Sequence, residues 1–252
     1  MKKALCAVAA SAVAFGGFIA APSAQSGPPA GFVSIFNGKD LTGWKIPAGD
    51  NGHWKVVDGV IDYDASSEAK DDKNLWTVKP YKNFELMVDW RLKEVVFVNK
   101  NMKIVMPDGT NKKNSDGKEI NMAVPDSDSG ILPRGSSKAQ FNIWNWPVGS
   151  GEMYGYRTWN DATPQMRRNA TPRMNADRNI GEWNTFHITV TGGSVTCQLN
   201  GQTVIPAWTL PDLPAEGPIG LQHHGGPKGP DGIYTGIPAL VQFRNIYVKE
   251  LR

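Results

Sequence analysis

The feature that most constrains the fold of this chain is a repeated two-residue alternation of apolar and polar side chains. Segments 84–91 and 183–190 show it most clearly, and each places its apolar residues on a single strand face. No stretch of a dozen residues sustains the three-to-four-residue apolar spacing of an amphipathic helix. The chain is therefore predicted to be an antiparallel β-sandwich. The predicted core positions are Phe84, Leu86, Val88, Trp90, Phe186, Ile188 and Val190.

Turn signals divide the chain into many short strands. Asp58-Gly59 and Asn200-Gly201 each lie between two β-rich segments, which predicts two tight hairpins. The 27 glycines and 18 prolines suit a fold with many turns. Two polar segments, 100–127 and 159–180, interrupt the pattern and are predicted to be long irregular loops, which are commonly functional or mobile.

The first 26 residues have the layout of a secretory signal peptide. Two lysines precede an uncharged apolar run at 4–21, and small residues follow it. The run is just long enough to span a bilayer, so a membrane anchor is the alternative. Its alanine and glycine content, and the lack of a following charge cluster, favour cleavage. We therefore expect a periplasmic or secreted domain at 27–252 with no stable membrane anchor.

Charge and cysteine content narrow the functional class of the protein further. Without the two lysines of the signal peptide, the 27 basic residues become 25 against 24 acidic ones, a net charge of +1. That balance gives no indication of a nucleic-acid partner, which requires clustered basic side chains. Cys6 lies within the signal peptide, which leaves Cys197 unable to form an intramolecular disulfide. Cys197 alternates with Val195 and Leu199, which predicts a buried structural thiol.

Motifs near both ends of the chain carry a family resemblance. They are Gly-Phe-Val-Ser-Ile-Phe-Asn-Gly-Lys-Asp-Leu-Thr-Gly-Trp at 31–44, Gly-Pro-Ile-Gly-Leu-Gln-His-His-Gly at 217–225 and Val-Gln-Phe-Arg-Asn-Ile-Tyr-Val-Lys-Glu-Leu at 241–251. With Gly-Glu-Trp-Asn at 181–184, they resemble the 3-keto-disaccharide hydrolase domain family. The resemblance implies a concanavalin A-like β-sandwich (jelly roll) in which the first and last strands pair, and a small saccharide or glycoside as substrate.

One predicted strand presents a set of side chains suited to a sugar. In the segment 138–147, Phe141 and Ile143 point inward, so Gln140, Asn142 and Trp144 share the opposite face. Amides hydrogen-bond hydroxyl groups, and an aromatic ring packs on the apolar face of a pyranose. The alternative is an exposed strand with a tryptophan under a loop. The other predicted substrate-binding residues are Trp146, Tyr156 and Gln222.

The catalytic hypothesis follows from the chemistry that the resemblance implies. A ketone at C3 of a glycosyl unit acidifies the C2 hydrogen, so a base there allows expulsion of the C1 substituent. His224, in the family pattern Leu-Gln-x-His-Gly, is one candidate base, although a structural role is the alternative. Lys138 occupies a position where many members have glutamate, which makes Glu152 the nearest substitute carboxylate. Arg134 is the predicted stabiliser of the enolate oxygen, or else a surface ion-pair residue.

Several other functions have no support in the sequence. No pattern resembling Glu-x-Asp-x-x-Glu, which sandwich glucanases use, is present. No zinc or calcium motif is present, so no cofactor is predicted, and a divalent metal ion held by scattered side chains is the alternative. Lacking a Gly-x-Gly-x-x-Gly motif, the chain would depend on a separate sugar 3-dehydrogenase for its ketone. A non-catalytic carbohydrate-binding protein on the same fold is the alternative function.

Overall fold

The structure is a computed structural model that describes residues 27–252, so the predicted signal peptide lies outside the described residues. Strands dominate it, and its two α-helices within that range are short: α1 (Tyr154–Arg157) and α2 (Pro164–Asn169). Neither is long or apolar enough to cross a bilayer. In chain order the strands are β1 (Val33–Ser34), β2 (Trp44–Lys45), β3 (Lys55–Val57), β4 (Val60–Asp62), β5 (Leu75–Tyr81), β6 (Phe84–Leu92), β7 (Phe97–Lys103), β8 (Asn121–Asp126), β9 (Asp128–Leu132), β10 (Phe141–Trp144), β11 (Asn184–Thr191), β12 (Ser194–Leu199), β13 (Gln202–Thr209), β14 (Gly217–Leu221) and β15 (Val241–Glu250).

The larger sheet has eight strands in the order β13-β12-β11-β6-β15-β4-β3, with β1 also pairing with β15. The first and last strands are antiparallel neighbours, with Val33 opposite Val248. That pairing confirms the expectation drawn from the family resemblance. Because β6 and β15 are both long and central, they hold the middle of this sheet together.

The alternation in the sequence defines the inner face of the larger sheet. All seven predicted core positions of β6 and β11 are buried, with no side chain more than 1% exposed. Each of these side chains reaches the core because the pleat of a strand directs alternate side chains to the same face. Cys197 lies among them as a free, fully buried thiol, and burial raises its pKa well above the ordinary value. The structural role predicted for it is consistent with this placement.

Both predicted hairpins are present, and their turns have the conformation that their sequences favour. Asp58 and Gly59 join β3 to β4, and Asn200 and Gly201 join β12 to β13. All four residues have positive φ, between 50° and 81°. A two-residue turn of this kind matches the twist of the flanking strands, and Asn-Gly and Asp-Gly adopt it readily.

Truncating Ile188 to alanine should lower the free energy of unfolding by roughly 2–5 kcal/mol, because the side chain is fully buried between the sheets. Urea or thermal unfolding measures the change. Thr189→Ala, at the adjacent outward-facing position, is the matched control and should lower the free energy of unfolding far less. A loss below about 0.5 kcal/mol for Ile188→Ala would contradict the packing of this face.

The smaller sheet has five strands in the order β10-β9-β14-β5-β2, all antiparallel. Its inner face packs on the larger sheet through residues such as Ile143, Ile131, Leu221 and Leu75. Its outer face carries Asn142 and Trp144 on β10. This sheet is built from segments far apart in the chain, and its outer face bears the candidate site.

A hairpin rises from the sandwich where the sequence predicted an irregular loop over 100–127. Strands β7 and β8 form a separate two-stranded sheet there, so that prediction was wrong. The hairpin lacks a clear alternation because most of its side chains lie outside the main core: Val98 is 53% exposed and Met122 is 37% exposed. The second predicted irregular segment, 159–180, is indeed mostly irregular, apart from α2. We refer to residues 97–126 as the arm.

Candidate functional site

A cleft of about 450 Å³ lies over the outer face of the five-stranded sheet, between the arm and the loop after β14. Phe141 and Ile143 pack in the core as predicted, and Gln140, Asn142 and Trp144 face this cleft. Gln222 and His224, which follow β14, line the same space. Trp146, which follows β10, lines it as well, so the structure brings six of the predicted site residues together.

The floor of the cleft is a row of amides. Gln140 Nε2 donates to Gln222 Oε1 at 2.6 Å and to the carbonyl of Ser129 at 3.3 Å. Gly130 lies opposite Asn142 on β9 and makes room for the Gln140 side chain, because a Cβ there would lie 2.6 Å from Gln140 Nε2. Gln140 is thereby fixed by its own contacts. The side-chain nitrogens of Asn142 and Gln222 donate to no other described residue, so they are available to a ligand.

Three aromatic rings form one wall of the cleft. Trp144 and Trp146 stack with their ring centroids 4.0 Å apart and an interplanar angle of 3°, and Tyr154 meets Trp144 edge-on at 6.0 Å. Only 3% of Trp144 is exposed, and its indole nitrogen donates to the carbonyl of Gly149. Trp144 therefore supports the wall from behind. The rings available to a sugar are those of Trp146 and the 44% exposed Tyr154.

An acid–base pair lies at one end of the cleft. His224 Nε2 is 3.4 Å from Asp128 Oδ2, and the other ring nitrogen, Nδ1, lies 2.8 Å from the carbonyl of Ile237. A carbonyl only accepts, so Nδ1 must carry a proton and Nε2 is the nitrogen that can exchange one. The backbone of residue 237 thus fixes both the tautomer and the direction of the imidazole.

Burial makes the Asp128 carboxyl a weaker acid than an ordinary aspartate. Its side chain is 14% exposed, and Oδ1 is buried without a hydrogen-bond partner among the described residues. Desolvation raises the pKa of Asp128 to about 7; the charge on His224 opposes the rise and the Asp126 carboxylate adds to it. Asp128 can therefore take up and release a proton near neutral pH, 3.4 Å from His224 Nε2. A group with a pKa near the working pH is well suited to proton transfer.

Asp126 connects the arm to the aromatic wall. Its Oδ2 accepts hydrogen bonds from Asn99 Nδ2 at 2.9 Å and from Trp146 Nε1 at 2.8 Å. The side chain is fully buried, and desolvation raises its pKa. Asn99 and Asn101 of the arm line the cleft from above. The arm is thus a wall of the site.

Glu152 lies beside the cleft residues but does not line the cleft. Its backbone carbonyl accepts from the amide of Asn142, which continues the pairing beyond the edge of β10, and its carboxylate is buried and bonded to Arg157. Desolvation raises the pKa of Glu152 to about 7, and the adjacent guanidinium opposes that rise. Because Arg157 occupies one oxygen and the other is enclosed, the structure does not place Glu152 where a base could reach substrate.

Arg134 is also remote from the cleft, contrary to the sequence prediction. Its Nη1 donates to the carbonyls of Gly192 and Pro214, at 2.6 and 3.0 Å, and its Nη2 donates to Asn83 Oδ1. Only 2% of the residue is exposed. It is neither an enolate stabiliser nor a surface ion-pair residue in this arrangement, since its donors hold the β11–β12 turn against the chain before β14.

Tyr156 is the third predicted residue that the structure places elsewhere. It is fully buried, its hydroxyl donates to Asp212 and its ring packs edge-on against Trp208 at 5.5 Å. The Lys138 ammonium lies 4.7 Å from the Tyr156 ring centroid. A ring enclosed on all these sides cannot contact a ligand in the cleft.

Sequence reasoning missed five polar or aromatic residues of the cleft. Asp128 lies two residues before Gly130, so the alternation of a strand places both on one face, where they lie opposite Trp144 and Asn142; this alternation was a usable signal. Tyr154 lies two residues after Glu152, in a glycine-rich segment in which the alternation of a strand is absent. The remaining missed residues are Asn99, Asn101 and Ser137.

No group of three or more histidine, cysteine, aspartate or glutamate side chains within residues 27–252 is arranged to hold a metal ion. Asp126, Asp128 and His224 are neighbours, but they do not converge on a common point. The cofactor prediction therefore stays a prediction. The chemistry considered below relies on side chains of this chain.

The fold and the cleft together define a concanavalin A-like β-sandwich with a polar, aromatic-walled binding site on its smaller sheet. Residues 31–249 match the 3-keto-alpha-glucoside-1,2-lyase-like domain, and the chain belongs to that family. The match includes every residue of the cleft named above.

Two comparisons extend this result. Over 193 residues the chain is 26% identical to a 3-keto-disaccharide hydrolase of Bacteroides thetaiotaomicron, a match covering 71% of this chain and 60% of that protein. The chain thus spans about 60% of the length of this curated relative. A solved structure from Parabacteroides distasonis, described as a "putative glycosyl hydrolase", superposes with a TM-score of 0.52 at 20% identity. It covers 88% of this chain and 94% of its own, which supports the fold.

Proposed function

We propose that this chain is an exported carbohydrate-active enzyme that cleaves the glycosidic bond of 3-keto-glycosides, including 3-keto-disaccharides. The observation that carries the proposal is the Asp128–His224 pair at the end of an amide-floored cleft. A site that only binds sugar has no need of a proton-exchanging pair with a buried carboxyl. Family membership and the name of the Bacteroides relative agree with this substrate class.

The proposed reaction begins with removal of the C2 proton. His224 Nε2 accepts that proton, and the C2–H electron pair becomes the enolate of the C3 ketone. The enolate then expels the C1 substituent, which leaves as its alcohol after taking up the proton that His224 removed from C2. Water adds to the resulting enone, with its hydroxyl bonding to C1 and its proton returning to C2. Asp128, 3.4 Å from Nε2, stabilises the imidazolium formed in the first step.

The developing charge on the C3 oxygen needs hydrogen-bond donors. Since Arg134 lies elsewhere, we assign this role to the side-chain amides of Asn142 and Gln222, which face the cleft and have unused N–H groups. Fixed donors in a partly desolvated site stabilise an oxyanion strongly because they need no reorganisation. Gln140 positions Gln222 through their 2.6 Å hydrogen bond. Trp146 and Tyr154 offer the apolar surface for the pyranose.

The direct test is incubation with a 3-keto-glucoside in deuterated water. We expect release of the alcohol, and incorporation of deuterium at C2 of the sugar, with the native protein but not with heat-denatured protein. The non-catalytic alternative, a carbohydrate-binding protein, predicts binding of the same sugar with neither release nor exchange. Exchange without release would locate the block at expulsion of the C1 substituent.

The cellular context of the proposal rests on the sequence. The signal peptide predicted at residues 1–26 would direct the domain to the periplasm or the medium, where mass spectrometry should find a mature N-terminus between about Ser23 and Gly31. The ketone must be supplied by an oxidation at C3, the reaction of a sugar 3-dehydrogenase. Retention of full activity in chelator would argue against the divalent ion that the sequence left open.

A further inference from the structure

A second depression lies beside the cleft on the outer face of the same sheet. It has a volume of about 650 Å³ and is lined by apolar side chains of β5 and β14, with Lys45 and Asp72 at its rim. Trp76, Val78, Pro80 and Pro218 provide the apolar lining. Nothing in the catalytic hypothesis uses this surface, although Gly135 lines the depression and Ser137, two residues on, lines the cleft.

The Trp76 ring lies in this depression, and its contacts fix its orientation although it is partly exposed. Its Nε1 donates to Asp72 Oδ2 at 2.5 Å. Its six-membered ring covers Gly220, the residue directly opposite on β14, where a Cβ would overlap the ring atoms. One face of the indole therefore rests on bare backbone, and the other is available to the depression. A fixed aromatic face offers contact area at little entropic cost.

The geometry of the sheet connects the two surfaces. Gly220, beneath Trp76, and Gln222, in the cleft floor, are two residues apart on the same face of one chain segment. The Trp76 ring covers Gly220, and two residues of a strand span about 7 Å, so the ring lies about that far from the backbone of Gln222. That separation is close to the distance between the centres of two directly linked rings, so one ring can lie over Gln222 and the other over the indole.

We propose that Trp76 is the platform for the leaving-group side of the substrate, which carries a ring with an apolar face. The inference rests on the proposed function, since it extends the same site by one ring. It identifies the substrate class as glycosides whose C1 substituent is a second pyranose or an aromatic ring. A small alkyl substituent would leave the Trp76 surface uncovered.

Steady-state kinetics on matched substrates tests this inference. We compare methyl 3-keto-glucoside, a 3-keto-disaccharide and phenyl 3-keto-glucoside with the native protein, Trp76→Ala and Trp76→Phe. Trp76→Ala should lower kcat/KM about tenfold on the substrate whose ring occupies the platform and change it less than twofold on the methyl compound, since a stacked ring pair contributes on that scale. Trp76→Phe should restore part of the loss. The ringed substrate that shows the effect identifies the occupant.

The control is Trp183→Ala, which removes a partly exposed tryptophan from the other sheet, where it packs against Arg91 and Arg244. It should leave all three substrates unaffected. Equal losses on ringed and methyl substrates in Trp76→Ala would overturn the inference. Should the native protein cleave none of them, the proposed function fails instead. Disaccharide titration by NMR then decides the platform separately, because binding there must shift the Trp76 indole resonance.

Discussion

Replacing His224 by alanine should lower kcat on a 3-keto-glucoside about 10²–10⁴-fold, the usual contribution of one acid–base group. The reason is geometric: Ile237 fixes the protonated Nδ1, and this leaves Nε2 as the only exchangeable nitrogen, facing Asp128 in the cleft. KM should change much less, because the imidazole acts mainly in the transition state. Initial rates under saturating substrate give kcat, and loss of C2 deuterium exchange locates the defect at the first step.

Two companion variants make this result specific. His187→Ala removes a histidine that is paired with Glu85 on the large sheet, away from the cleft, and should leave kcat unchanged. Asp128→Asn keeps the size of the side chain but cannot become charged. It should lower kcat and also remove a titration near pH 7 from the rate profile, because burial raises the pKa of Asp128 to about 7. Full turnover by His224→Ala, with an unchanged pH profile, would show that the base is another residue.

Arg157→Met should lower the free energy of unfolding by about 3–5 kcal/mol, because it leaves the carboxylate of Glu152 buried without its counter-charge. Arg157 also donates from Nη1 to Asn111 Oδ1 at 3.1 Å, so the variant loosens the arm as well. Chemical denaturation at neutral pH measures the loss. At temperatures where the variant remains folded, its activity should fall little, since neither residue lines the cleft.

The pH dependence of that loss distinguishes charge from packing. Desolvation already raises the pKa of Glu152 to about 7 in the native protein, and loss of the guanidinium that opposes this rise lifts the pKa further in the variant. Both proteins therefore lose stability as pH rises from the unfolded-state pKa of about 4.3 to about 7, and the deficit of the variant grows mainly above pH 7. Adding Glu152→Gln to Arg157→Met should recover much of the loss. A deficit equal at pH 5 and pH 8, and unchanged in the double variant, would mean that lost packing is responsible.

Much of the sandwich was accessible from the sequence because burial imposes a strict period. Phe186, Ile188 and Val190 each face the core, and any shift by one residue would expose them all. The Asn200-Gly201 turn was equally clear, since its chemistry is local. The arm was not, because strands that pack on little else need no alternation. Its pairing depends on backbone hydrogen bonds, which every sequence can make.

The candidate site was predictable where it lies on a regular strand and unpredictable where it depends on long-range contacts. Gln140 and Asn142 follow from the alternation of β10 alone. Arg134 was misassigned because its donors are used by carbonyls of Gly192 and Pro214, 58 and 80 residues away in the chain. Glu152 was misassigned for a different reason, since its partner Arg157 is only five residues away but pairs with it because both side chains are buried, which the sequence does not show. No local sequence pattern distinguishes a charged residue that pairs within the protein from one that binds a substrate.

The way in which the smaller sheet is assembled has a consequence for how the protein acquires its activity. The larger sheet contains β11, β12 and β13 as consecutive hairpins, which close short loops and can form early. The cleft instead joins Ser129 to Gln222 across 93 residues and Gln140 to Gln222 across 82. Such contacts carry a large loop-closure cost and are expected to form late. Sugar binding should therefore appear only in the final phase of refolding, after most of the circular dichroism signal has returned.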